Sequence, residues 1–82
     1  MDKTKLDNLA TFLRGALLGA EITAHDSLPQ PNIWNMPSGQ RIEVVAGGWS
    51  VALDFPPEVQ GVNQGGLLRH IRLTFGAKGV NV

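Results

Sequence analysis

His25, Asp26 and Ser27 stand in a row and hold the three side-chain types of a hydrolytic triad. A triad needs its base within hydrogen-bond reach of the nucleophile and an acid behind that base. Consecutive residues rarely meet this geometry, so the row does not predict a triad. The other serines, Ser38 and Ser50, lie in no G-x-S-x-G turn. Asp54 and Glu58 are a candidate acid–base pair, but Asp54 has a nearer task as the cross-strand partner of Arg41. His25 and His70 lie far apart in the chain and there is no cysteine. Zinc needs clustered nitrogen or sulfur ligands, so no metal or other cofactor is expected. The chain reads as non-enzymatic, with a small enzyme or enzyme subunit as the least favoured alternative.

The glycine-rich run Gly61–Gly66 raises phosphate binding. It carries no G-K-[ST] and precedes an expected strand, whereas a phosphate loop opens a helix. It reads as a connection. Arg69, His70 and Arg72, with Lys78, form the one basic concentration. They are the candidate nucleic-acid contacts, with Trp34 or Trp49 available to stack on bases. Seven acidic residues balance seven basic ones, and a nucleic-acid binder normally shows a basic excess. Solvated charges that discourage edge-to-edge pairing are the simpler reading.

Trp34 and Met36 are candidates for protein contact. Ile33 and Asn35 alternate with them, so if Ile33 packs inward the indole and thioether face out. Both residue types are enriched at interfaces. Pro57, Val59 and Val62, in the segment after the second hairpin strand, join them as candidate contacts.

The elements around these residues follow from periodicity. Leu6, Leu9, Ala10, Leu13, Ala16, Leu17 and Ala20 share one face of a helix over 4–19, flanked by Phe12 and Leu18. Thr4 with Asp7 is its expected start and Gly19 its expected stop. Residues 21–25 alternate as a short strand. Residues 26–31 contain Pro29 and Pro31 and lead to an expected edge strand at 32–36.

A hairpin follows. Gly47-Gly48 suits the positive φ of a two-residue turn. With that loop, Ala46 faces Trp49, Val44 faces Val51 and Ile42 faces Leu53. All six are apolar and on one face. Glu43 then faces Ala52, and Arg41 faces Asp54. A slip of one residue breaks every match. Pro56-Pro57 end the ladder by withholding donors. Ile71, Leu73 and Phe75 alternate in 67–75, which reads as a strand. A helix that gathers Leu67, Leu68, Ile71 and Phe75 is the alternative.

These elements predict an α+β fold: one N-terminal amphipathic helix packed on an antiparallel sheet of three to five strands. Residues 1–82 are expected to form one domain, with 76–82 a loose tail or a short terminal strand. No apolar run has the length of a membrane span. The mixed charge of the first residues and the lack of cysteine make a cytoplasmic location the expectation. The expected function is protein binding, by an inhibitor or accessory protein of the phage or mobile-element type. The expected partner is another protein, or a second copy in a homodimer, met through 30–36 and 56–66.

Overall fold

The computed structural model describes residues 1–27 and 39–82. The elements run α1 (Lys3–Ala16), β1 (Glu21–His25), β2 (Gln40–Ala46), β3 (Trp49–Phe55) and α2 (Gln64–Gly76). The described strands form one antiparallel sheet in the order β1-β2-β3. The class is α+β, with two described helices. The expected strand at 32–36, with Trp34 and Met36, lies outside the described residues.

The hairpin has the register its alternation requires. Arg41 pairs with Asp54, Ile42 with Leu53, Glu43 with Ala52, Val44 with Val51 and Ala46 with Trp49. Gly47 has φ 58° and Gly48 has φ 79°. Two successive positive values define a primed turn, whose twist matches that of the strands it joins. On the other side of β2, Ile22 pairs with Val44 and Ala24 with Ile42. The inner face of the sheet therefore carries Ile22, Ala24, Ile42, Val44 and Ala46, with Val51, Leu53 and Phe55 from β3.

α1 is capped two residues earlier than expected. Asp2, not Thr4, accepts a hydrogen bond from the Lys5 N–H at 2.8 Å. Asp7 is engaged by Lys3 at 3.1 Å, an exposed i, i+4 pair. The helix ends at Ala16, before Gly19. Gly19 does not adopt the left-handed conformation of a glycine cap; the Leu17 N–H instead closes the last turn on the Leu13 carbonyl at 2.8 Å. Leu6, Leu9, Ala10, Leu13 and Leu17 are buried. Leu18 is 88% exposed and does not widen the stripe.

Residues 67–75 are helical, which corrects the strand expectation. Asn63 caps α2, its side chain accepting from the Gly66 N–H at 2.9 Å. Ile71 and Phe75 fall four apart on one face and are fully buried, while Leu73 points to solvent with 65% exposure. A strand would have put all three on one side. The helix satisfies its own backbone and buries Ile71 and Phe75 in the core that α1 and the sheet also line.

The chain after α2 is pinned rather than loose. Gly79, at φ 76°, sends its N–H to the Gly76 carbonyl, and the Val80 N–H reaches Phe75 O at 2.9 Å. This is the paired closure of a left-handed helix terminus. It lays Val80 against the Gly47 turn, where a β-carbon on Gly47 would lie 2.7 Å from a Val80 methyl. Val80 and Val82 pack on the core, and residues 80–82 form no strand.

Two contacts orient α2 against α1. Gln64 at its start borders the same depression as Lys5 and Asn8 of α1, and Arg72 donates to the Ala16 carbonyl at 3.4 Å. The helices therefore run side by side in the same direction.

Candidate interaction surface

The functional side chains expected from sequence are distributed rather than gathered. Pro57 is exposed in the turn after β3, whereas Val59 and Val62 are half-buried and packed against the core. The segment carrying them crosses the start of α1, held there by Lys5 Nζ donating to the Gln60 carbonyl at 3.1 Å. A depression of about 220 Å³ opens at this crossing, lined by Met1, Lys5, Leu9, Gly61 and Val62 among others. Lys5, the charged side chain in it, is already engaged.

The basic residues also separate. Arg69 and His70 are exposed on α2. Arg72 is turned toward the C-terminal carbonyls of α1, where a cation is favourable because the helix dipole ends there. Lys78 lies over the Trp49 ring with its Nζ 4.6 Å from the ring centroid, a cation–π contact. The glycine-rich run does precede a helix, contrary to expectation. Its missing G-K-[ST] still separates it from a phosphate loop.

His25, Asp26 and Ser27 do not assemble a triad. His25 Nε2 is directed across the outer face to Glu43 Oε1 at 3.5 Å, and Asp26 accepts from the buried Gln40 amide at 2.8 Å. Among the described residues, no three His, Asp or Glu side chains converge as a metal would need.

Asp54 takes the role its register assigns. Arg41 donates from Nε to Oδ1 at 2.6 Å and from Nη2 to Oδ2 at 3.1 Å. The hydrogen bonds hold the Asp54 carboxyl below its ordinary value of 3.8; desolvation opposes this and the Arg41 charge adds to it. The same hydrogen bonds raise Arg41, against desolvation and with help from the charges of Asp54 and Glu43. A carboxyl depressed in the fold stabilises it above the unfolded pKa, near 4, and that contribution is lost as pH falls through the lower folded value. Asp54→Asn is therefore expected to lower the urea midpoint at neutral pH and to lower it by less at about pH 3, below the unfolded pKa. Solvent screening keeps the effect small. Equal deficits at both pH values would contradict the pairing.

Trp49 is the side chain that sequence reasoning misplaced. Its position in the apolar row makes it look like core, yet it is 49% exposed. It sits at the hairpin end of β3, beside the turn. Next along the same row, Val51 and Leu53 are only half-buried, whereas Ile42 and Val44, their partners on β2, are fully buried. The inner face of β3 is thus an apolar row that the described part of the chain covers incompletely. The clue in the sequence is position: β3 is the second arm of a hairpin followed by two prolines, and so is a natural sheet edge.

Compared with family models, with curated proteins and with solved structures, the chain has no match. Its function has to be argued from these surfaces.

Proposed function

We propose that this chain is a small non-catalytic protein-interaction module whose contact surface is β3 and the hairpin end beside it. The observation that carries this reading is the half-open row Trp49, Val51 and Leu53. Exposed tryptophan is a frequent energetic centre of protein contacts because it removes much surface from water at little entropic cost. Pro57 is exposed in the turn two residues past the far end of the same strand. An inhibitor or accessory protein that works by occupying another protein's surface needs nothing more than such a face. A cytoplasmic setting fits a chain without cysteine.

The nucleic-acid alternative uses Arg69, His70, Arg72 and Lys78. Arg72 and Lys78 already have partners within the chain, and Lys78 occupies one face of the indole on which a base would stack. The balanced net charge adds no attraction for phosphate.

Two measurements test the reading together. Light scattering after size exclusion is expected to show the protein associated with protein, its own copy included. Trp49→Ala is expected to weaken that association while circular dichroism stays native. A gel shift with single-stranded DNA and with duplex RNA is expected to show no binding at physiological salt. A monomer that binds either nucleic acid tightly, with steep salt dependence, overturns the reading.

A further inference from the structure

The two described sheet edges are treated differently. Ala46 and Trp49 flank a two-residue loop, so they exchange hydrogen bonds, and the pattern alternates from there along the ladder. The N–H and C=O groups of Ser50, Ala52 and Asp54 consequently point away from β2. By the same alternation, Ile22 and Ala24 point outward from β1. The β1 edge is occupied at one point: Arg14 of α1 donates from Nε and Nη2 to the Ile22 carbonyl at 3.2 and 3.1 Å. No described residue does the same for β3. Nor does its outward backbone carry the usual guards, a lysine, an internal proline or a bulge. Its single charge, Asp54, is drawn back toward Arg41.

The β3 edge is also complementary to itself. Antiparallel pairing of β3 with a copy, centred on Ala52, sets Ala52 against Ala52 and Ser50 against Asp54 twice. The Ser50 hydroxyl is a donor, and a carboxylate with both oxygens engaged retains lone pairs to accept from it. On the inner face Val51 meets Leu53 twice, which covers the half-open row. Shifting the centre to Leu53 sets Pro56 against Ser50 of the copy, where it has no N–H to give. Centring on Ala52 uses all three outward-facing residues.

We propose that β3 pairs with β3 of a second copy about a two-fold axis at Ala52, joining two three-stranded sheets into one of six strands. This rests on the interaction-module reading and names the partner. Net charge near zero removes long-range repulsion between copies. A two-strand seam is small, so the dimer is concentration-dependent.

Sedimentation velocity from low micromolar to near-millimolar protein tests this. Wild type is expected to pass from monomer to dimer. Ala52→Lys places two ammonium groups face to face at the axis and is expected to weaken the dimer by roughly tenfold or more. Its fold is protected, because Lys at 52 gains Glu43 as its cross-strand neighbour. Ala52→Glu repels across the axis with opposite sign, although within the hairpin it faces Glu43 without a compensating charge, and mixing the two variants is expected to restore a one-to-one dimer. Should either variant fold poorly by circular dichroism, Ser50→Asp, facing Asp54 of the copy, supplies the repulsion instead. Wild type that stays monomeric throughout overturns the pairing and leaves the module reading to association with a different protein. A dimer unaffected by these charges overturns the β3 seam while the module reading stands. Failure of the reading itself appears separately, in the nucleic-acid gel shift.

Discussion

Phe75→Ala is expected to destabilise the fold by about 3–5 kcal/mol, and Leu73→Ala by no more than about 0.5 kcal/mol. Phe75 is fully buried and Leu73 is 65% exposed, although the two are only two positions apart in the chain. Removing the phenyl ring leaves a cavity between α1, α2 and the sheet that the neighbours can only partly fill. A domain of this length commonly has a total stability of about 4–12 kcal/mol, so Phe75→Ala is expected to leave a large unfolded fraction at physiological temperature. Urea unfolding followed by circular dichroism measures both variants. Equal, large losses at 73 and 75 would mean that the two share a buried face, as on a strand, and would contradict α2.

The second large effect is at the centre of the sheet. Ile42→Ala is expected to cost about 2–5 kcal/mol, because Ile42 is fully buried in the core on the middle strand. Its cross-strand partner Leu53 is only half-buried. Leu53→Ala is therefore expected to cost clearly less in dilute protein, roughly half as much. At high concentration the deficit of Leu53→Ala is expected to grow, since wild type is then stabilised by pairing and the variant is not. The deficit of Ile42→Ala is expected to stay constant. Chemical unfolding at two protein concentrations checks both statements. A Leu53 deficit as large as that of Ile42 in dilute solution would mean that β3 is already fully covered.

The hairpin was legible in sequence because three kinds of signal coincide there. The Gly47-Gly48 loop fixes a register, the apolar alternation agrees with it, and the Arg41–Asp54 charges agree again. α2 was not legible, for a physical reason. Leu67, Leu68, Ile71 and Phe75 fit a helix, while Ile71, Leu73 and Phe75 fit a strand. The residues that decide between them are Asn63, whose cap is hidden among glycines, and the core beneath, which has room for Ile71 and Phe75 but leaves Leu73 outside. Tertiary packing decides such cases, and a local pattern does not contain it. α1 is visible through its leucines, but its ends are not, since Asp2 and Thr4 are both capping residue types and Gly19 has no need to turn left-handed. Trp49 was misread because alternation tells which face a side chain occupies and says nothing of how far the covering layer extends. The basic residues 69–78 looked like a patch only while their internal partners, Ala16 and Trp49, were unknown. The candidates Trp34 and Met36 lie outside the described residues, and the surface argued here does not use them.

Amide hydrogen exchange read by NMR in dilute and in concentrated protein reaches the β3 edge most directly. The Ser50, Ala52 and Asp54 amides are expected to exchange fast when dilute and to slow markedly as concentration rises. The edge-facing amides of Ile22 and Ala24 on β1 should not change. Exchange at Ser50, Ala52 and Asp54 that ignores concentration, or protection that grows on β1 instead, would contradict the β3 pairing.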